Sequence, residues 1–210
     1  MYQCVVMDSE YCSMGRWISV IVANAMGMSL YEGKDLLQFV DEDWLDEDYL
    51  KAFDERLMHM TLTEVKQSKE MKKVHQALSK AMRKAVEKGP CIIHERGAGE
   101  VLKDYHCLKV LLYNSNIEHR IPLAIADKTY DLKELSHDQL VNFIKHEDYK
   151  RQVYHDAICT KKWGEKESYD ICLDSAVLSR EKCAEILIEA LDDVKLNLDE
   201  CAQIIKQSFD

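Results

Sequence analysis

Short runs of consecutive apolar residues alternate along this chain with longer stretches in which apolar residues recur every three or four positions. The short runs are apolar at nearly every position, which is typical of parallel strands that are buried on both faces of a sheet. Such strands are predicted at 3–7, 28–31, 91–93, 107–113 and 169–173. The longer stretches have the spacing of amphipathic helices. The alternation predicts an α/β fold in which helices cover both faces of a parallel sheet.

The helical spacing is clearest over 62–88, whose polar face is rich in lysine. That face is interpreted as solvated, with a phosphate-binding or acidic-partner patch as the alternative. Further helices are predicted over 16–26, 117–126, 136–159 and 181–191, with helical pieces over 35–56 and a short helix over 198–209. Gly27 and Gly89 predict helix ends, and Ser136 followed by Gln139 has the spacing of a capping box.

Composition limits the classes of protein that fit this pattern. The 210 residues are 47% hydrophobic, which suits a single domain, 1–210, with its own core. The helix at 16–26 contains the apolar run 18–26, which is too short to span a membrane. The first residues lack the basic start and apolar core of a signal peptide, so we expect a cytoplasmic protein. The net charge of −10 predicts that the chain does not bind nucleic acid, although a nucleotide phosphate needs only a few local donors.

The cysteines and histidines do not form a metal-binding pattern. No two of the eight cysteines lie within four residues of each other, so a C-x2-C zinc site is absent, and the eight histidines are scattered. The sequence therefore predicts no metal ligands. Cys4, Cys91, Cys107 and Cys172 fall in apolar segments, where we expect reduced thiols that serve as small core residues.

The turn after the first predicted strand is the first place to look for a ligand site. Ligands in parallel sheets bind at the carboxyl ends of the strands, and the start of the following helix offers free N–H groups and the positive end of its dipole. The turn, residues 8–16, reads DSEYCSMGR. It lacks the strict phosphate-loop motif G-x-x-x-x-G-K-[ST], because it has one glycine and no lysine. Alone, it also fits an ordinary strand-to-helix turn.

Several segments nevertheless resemble the cytidylate kinase-like family. Residues 8–18, DSEYCSMGRWI, are similar to the family's loop S-R-E-Y-G-S-G-G-R-E-I, and LYE at 30–32 is similar to its F-Y-D. LDEDYLKAFDE at 45–55 is similar to the segment that precedes the family's monophosphate region. GPCIIHER at 89–96 resembles G-P-C-V-I-V-G-R.

The later part of the chain continues the resemblance in the family's order. Residues 148–164 contain Asp148, Arg151, Tyr154 and a Trp-Gly pair, and they resemble the lid segment D-K-x-R-x-x-Y-Y…W-G. YDICLDS at 169–175 is similar to Y-D-L-x-x-[ND]-S. The matched segments together run from residue 3 to about 191.

The resemblance implies a P-loop kinase-type fold with a parallel sheet of about five strands, a monophosphate-binding helical insert at 34–88 and a lid at 136–165. The implied activity is transfer of the γ-phosphoryl group of ATP, with Mg²⁺, to a cytidine-type nucleoside monophosphate. Such catalysis depends on positioning and on charge neutralisation. The alternative is a non-catalytic module of the same fold that binds a nucleotide or another anion. The oligomeric state stays open.

The resemblance also assigns roles to residues of this chain. Arg16 and Arg151 would be catalytic, Arg96 would bind the acceptor phosphate, and Arg120 and Asp174 would support the site. The implied phosphate loop consists of Cys12, Ser13, Met14, Gly15 and Arg16, and the implied lid residues are Asp148, Lys150 and Arg151. Asp148 and Asp174 would hold the arginines.

Each assignment has a structural alternative. Ser13 could act as a helix N-cap, Arg16 could simply be exposed at the helix start, and Arg96 could form a surface ion pair. Lys150, Arg120 and the two aspartates could be solvated, buried or capping residues.

The loop departs from the family at three positions. Cys12 and Met14 stand where the family has glycines, which allow a positive φ and a close approach of phosphate. Trp17 stands where P-loop kinases often place a polar residue near Mg²⁺, and an indole cannot bind a hard cation. The position of Cys12 before a helix also suggests a lowered thiol pKa.

Overall fold

The computed structural model describes residues 2–57, 59–94 and 96–192. Its five strands are β1 (Cys4–Ser9), β2 (Ser29–Tyr31), β3 (Cys91–His94), β4 (Cys107–Tyr113) and β5 (Ile171–Asp174). They form one parallel sheet in the order β2-β3-β1-β4-β5. The predicted fold class is confirmed, and all five predicted strands are present with small shifts at their ends. The predicted helix at 198–209 lies outside the described residues.

The described residues also form eight α-helices and two 3-10 turns, all but the last helix lying between strands. The helices are α1 (Gly15–Met26), α2 (Glu47–Leu57), α3 (Leu62–Gln67), α4 (Lys69–Lys88), α5 (Ala98–Val101), α6 (Ile117–Ala126), α7 (His137–Ile158) and α8 (Arg180–Leu191), and the 3-10 turns span Asp35–Phe39 and Lys166–Ser168. Ser136 and Gln139 form the predicted capping box of α7.

The predicted helix at 62–88 is two helices. Thr61 and Glu64 form a capping box that starts α3, and the hydroxyl of Ser68 accepts the N–H of Met71 to start α4. In a continuous helix the N–H of Met71 would donate to a backbone carbonyl of the preceding turn. Here the hydroxyl of Ser68 accepts it instead, which marks the start of a new helix. The apolar spacing continues through this break, which is why the spacing alone did not reveal it.

Apolar layers lie on both faces of the sheet because side chains alternate along each strand. Val5 and Met7 of β1 face a cluster that contains α1 and α8. Cys4 and Val6 face a larger cluster formed with α2, α3, α4, α5 and α7. A third cluster joins Tyr11, in the turn after β1, to α6 and α7. The turn is therefore anchored to the helices that lie above the carboxyl edge of the sheet.

The lysine-rich face of α4 contacts an acidic segment of the same β2–β3 connection. Lys80 pairs with Glu42 at 2.8 Å, and Lys84 pairs with Asp41 at 2.5 Å. Lys80 is largely exposed and Lys84 is partly exposed, in agreement with a solvated face. Both ion pairs also join the start of the connection to its longest helix.

The cysteine prediction holds only in part. Cys4 and Cys107 are paired across the register of β1 and β4, with 4.7 Å between their Cα atoms, and form a disulfide. Cys91 is a buried free thiol as expected, whereas Cys172 is exposed. The expectation of reduced core thiols is thus wrong for three of the four positions, because it considered each strand separately and not the pairing between strands.

No helix among the described residues is long and apolar enough to cross a membrane.

Candidate functional site

A cleft of about 730 Å³ lies at the carboxyl edge of the sheet, between the β2–β3 connection and α7. Basic side chains from several elements line it: Lys34, Lys51, Arg96, Lys150 and Arg151. Acidic side chains also line it: Asp8, Glu32, Glu47, Asp54, Glu55 and Glu147. Three of the residues assigned from the sequence, Arg96, Lys150 and Arg151, are brought together here.

The turn between β1 and α1 keeps a glycine-like backbone without the glycines. Cys12 has φ 59° and Met14 has φ 70°, both in the left-handed region. These are the two positions at which the family has glycines, which allow such a conformation. Gly15 is needed for another reason, because a Cβ there would lie 2.5 Å from the Cβ of Ser9. The first N–H groups of α1, which have no intrahelical acceptor, follow this turn directly.

The side chains of Ser13 and Arg16 in this turn form contacts with other parts of the protein. The buried hydroxyl of Ser13 donates to the carbonyl of Leu112 at 3.0 Å. Met14, and not Ser13, is the N-cap of α1, so the N-cap interpretation of Ser13 is wrong. Arg16 is 72% exposed and pairs with Glu32 at 3.1 Å. The alternative interpretation, an exposed arginine at the helix start, is therefore the one observed.

Trp17 and Met14 complete the departure from a usual phosphate loop. Trp17 is 60% exposed, and its ring lies 5.5 Å from the guanidinium carbon of Arg180. Met14 is partly buried against the cluster between the sheet and α8. The N–H groups of Glu10, Tyr11 and Ser13 already donate to protein acceptors. The Ser13 hydroxyl is also committed elsewhere, and Trp17 offers no oxygen to Mg²⁺. Among the described residues, no group of three or more His, Cys, Asp or Glu side chains is arranged to hold a metal ion.

Arg120 is a buried structural residue that ties this turn to two helices. Its side chain is 5% exposed, and its Nε donates to the carbonyl of Tyr11 at 2.7 Å. Its Nη2 donates to both carboxylate oxygens of Asp148, at 2.8 and 2.7 Å. Asp148 also accepts the N–H of Tyr11 at 2.7 Å, and Glu10 pairs with Arg120 at 3.3 Å. The prediction that Asp148 holds an arginine is confirmed for Arg120.

Arg96 lies at the carboxyl end of β3 and reaches across the cleft to α2. Its two terminal nitrogens donate to the two carboxylate oxygens of Asp54, at 2.6 and 2.5 Å. The ring of Tyr154 lies 5.2 Å from the guanidinium carbon on one side. On another side a Cβ at Gly33 would lie 3.2 Å from Nε. Arg96 itself has φ 60°, a conformation that costs a non-glycine residue energy and is often found at functional sites.

Glu147 holds the two basic residues of α7 that line the cleft. This carboxylate is buried, and it forms ion pairs with Lys150 and, at 3.5 Å, with Arg151. Arg151 also lies 5.6 Å from the ring of Tyr11. A buried acid that pairs with two cations keeps both at defined positions on the helix.

Asp174 and Cys12 behave differently from expectation. The carboxylate of Asp174 accepts the N–H groups of Ser115 and Ala176, so it caps a turn, which is the alternative to holding an arginine. Burial raises the pKa of the Cys12 thiol to about 11. The suggestion of a lowered pKa is wrong, because loss of solvation outweighs the favourable charges of nearby arginines.

Sequence reasoning missed Asp8 and Asp54, which both line the cleft. Asp8 is the next-to-last residue of the central strand. Its carboxylate accepts a hydrogen bond from the hydroxyl of Tyr169 at 2.9 Å and lies 3.7 Å from Nε2 of His155. The position of Asp8 at the carboxyl end of an apolar run was a usable signal. Asp54 gave no such signal, because it is one of several acidic residues on an amphipathic helix.

A parallel sheet with a strand–turn–helix at its central strand and a cleft at its carboxyl edge places this chain among the P-loop kinase-type folds. Residues 4–177 match the model of the cytidylate kinase-like family. The chain belongs to this family.

Solved structures share the fold. An uncharacterized protein from Eubacterium ventriosum ATCC 27560 has a TM-score of 0.69 and 18% identity, over 91% of this chain and 99% of that chain. Shikimate kinase from Bacteroides thetaiotaomicron has a TM-score of 0.51 and 13% identity, over 90% of this chain and 97% of that chain. At such identities the likeness concerns the fold. No curated protein matches the sequence significantly.

Proposed function

We propose that this chain is a small-molecule kinase whose acceptor, a cytidine-type nucleoside monophosphate, binds in the cleft between residues 34–88 and α7. The observation that carries the proposal is the convergence of Arg96, Lys150 and Arg151 on one cleft at the carboxyl edge of the sheet. Membership of the cytidylate kinase-like family supports the reaction and the type of acceptor. The residues 34–88 would enclose the acceptor, and residues 136–165 would form the lid.

The proposed roles follow from where the charges lie. Arg96, whose side chain is 16% exposed, would bind the acceptor phosphate with its planar pair of nitrogens, which suits two phosphate oxygens. Arg151 and Lys150 would neutralise the charge on the transferring phosphoryl group, held in place by Glu147. The donor, ATP, would be bound by the N–H groups at the start of α1. Because the side chains of that turn do not fit Mg²⁺, no step is assigned to the metal.

The turn also favours a second candidate, a module that binds a nucleotide without transferring phosphate. Arg16 pairs with Glu32, and the Ser13 hydroxyl donates to Leu112. The turn therefore supplies neither the cation nor the hydroxyl that a kinase loop directs to the donor phosphates. Such a protein would retain the cleft and its anion-binding residues and would lack turnover.

One experiment separates the two candidates. The purified chain is incubated with ATP, Mg²⁺ and each of CMP, dCMP, UMP, AMP and GMP, and ADP release is followed in a coupled assay. The kinase proposal expects release that depends on CMP or dCMP. Binding of CMP in a calorimetric titration without ADP release would support the binding module instead. Absence of ADP release with every acceptor, together with no binding of CMP or ATP in the titrations, would reject both candidates.

A further inference from the structure

The bidentate pair between Arg96 and Asp54 occupies the place that an anionic ligand would need. The two hydrogen bonds, 2.6 and 2.5 Å long, use both terminal nitrogens of the guanidinium. This is the geometry in which arginine binds a carboxylate or a phosphate from a ligand. The carboxylate of Asp54 thus stands in this structure where two oxygens of an external anion would bind.

The two partners differ in how firmly they are held. The side chain of Arg96 is 16% exposed and lies between the backbone of Gly33 and the ring of Tyr154. The side chain of Asp54 is 41% exposed and projects from α2 into an open cleft. The arginine is therefore the fixed partner, and the carboxylate can turn away at a low cost of desolvation.

A second cation is available to the carboxylate after it turns away. Lys51 lies one turn earlier on α2 and lines the same cleft. Residues three apart on a helix are neighbours, so the Lys51 ammonium can approach Asp54 without any movement of the backbone. In contrast, Glu147 is buried between Lys150 and Arg151 and has no comparable freedom.

We propose that Asp54 is an internal competitor for the acceptor site: it occupies Arg96 in the ligand-free protein, and an acceptor phosphate must displace it. The inference rests on the proposed role of Arg96 as the acceptor-binding residue. Asp54 makes the site selective, because a neutral ligand gains nothing from displacing a bidentate carboxylate. A dianionic phosphate carries more charge than the carboxylate and gains from the exchange.

The test measures ligand affinity after the charge of Asp54 is removed. Asp54→Asn keeps the size of the side chain and cannot compete as an anion. We expect this variant to bind CMP about tenfold more tightly than the wild type in calorimetric titrations, and inorganic phosphate likewise. Glu55→Gln is the matched control: it removes the same charge from the next position of α2 in the same cleft. We expect it to change the affinity by about twofold or less, because an exposed charge is screened.

A double variant identifies the residue that binds the ligand in Asp54→Asn. Adding Arg96→Met to Asp54→Asn should abolish the gain in affinity, because the released arginine is then absent. Thermal unfolding without ligand reports whether each variant is folded. If Asp54→Asn is not folded, Asp54→Ser provides the same test of ligand affinity. Equal or weaker binding of both CMP and phosphate by a folded Asp54 variant would overturn the inference.

The outcomes also separate this inference from the proposed function. Tighter binding of inorganic phosphate by Asp54→Asn, with no CMP binding by any variant, would support the competitor role of Asp54 and reject the acceptor. CMP-dependent ADP release by the wild type, with unchanged affinities in Asp54→Asn, would support the kinase and reject the competitor.

Discussion

Arg120 donates two hydrogen bonds to the carboxylate of Asp148, and this pair fastens α7 to the turn after β1. The same arginine donates to the carbonyl of Tyr11, and Asp148 accepts the N–H of that residue. The predicted lid therefore contains a fixed point at Asp148. With this pair intact, an opening of the cleft would involve the part of α7 beyond Asp148 or the helices of residues 34–88.

Removal of Arg120 should destabilise the whole protein. Arg120→Ala leaves the carboxylate of Asp148 and the carbonyl of Tyr11 without their buried donor, and breaking a buried pair in this way costs about 3–5 kcal/mol. Urea unfolding measures the change. Arg180→Ala is the control, since Arg180 forms an ion pair at the surface that contributes little. A loss of stability no larger than that of the control would contradict the structural role of Arg120.

Glycine at positions 12 and 14 should improve the turn as an anion site. Left-handed conformations cost a non-glycine residue about 1–2 kcal/mol. In Cys12→Gly/Met14→Gly, the relief of this cost is offset by lost contacts of two partly buried side chains, so we expect stability to change little. We expect ATP and pyrophosphate to bind more tightly, because their phosphates can approach the bare backbone. Calorimetric titration and thermal unfolding measure both effects.

Gly15→Ala is the comparison for this variant. The added Cβ would lie 2.5 Å from the Cβ of Ser9, so it should lower both stability and ATP affinity. If the double glycine variant bound ATP more weakly than the wild type, the side chains of Cys12 and Met14 would have to contribute to binding.

The thiol of Cys12 should react slowly at neutral pH. Burial raises its pKa to about 11, so the thiolate is scarce until the pH approaches that value. Because the folded-state pKa lies above the unfolded value of about 8.5, the neutral thiol favours the folded state below pH 8.5, and this contribution is lost as the pH rises towards 11. Alkylation by iodoacetamide, mapped by peptide mass, measures the reaction. Protein unfolded in urea is the control, with alkylation rising near pH 8.5. If the rate of alkylation depended on pH in the same way for folded and unfolded protein, the Cys12 thiol would not be shielded.

The sequence was most informative where local pattern determines structure. The strand at 107–113 is observed with the predicted bounds, because seven mostly apolar residues between polar turns leave little choice. The turn after β1 was also located, and the resemblance marked Cys12 and Met14, which both adopt a positive φ, as positions where the family has glycines.

The site was less predictable because its contacts join distant parts of the chain. Arg120 meets Asp148, 28 residues away, and Tyr11, 109 residues away. Arg96 meets Asp54, 42 residues away. The pairing of Cys4 with Cys107 depends on the order of the strands, which the sequence pattern left open. Spacing along one element carries no information on such partners.

The most direct test of the proposed kinase is the turnover of Arg151→Ala. If Arg151 neutralises charge that develops on the transferring phosphoryl group, its loss should lower kcat about 10^3-fold and leave ATP affinity nearly unchanged. Lys145→Ala is the matched control, since Lys145 is an exposed cation on α7 that does not line the cleft.

The measurement is the steady-state rate of ADP formation with CMP, ATP and Mg²⁺ for the wild type and both variants. The account predicts turnover by the wild type and Lys145→Ala and a loss of about 10^3-fold in kcat for Arg151→Ala. Equal turnover by all three proteins, or no turnover by the wild type with any acceptor, would contradict it.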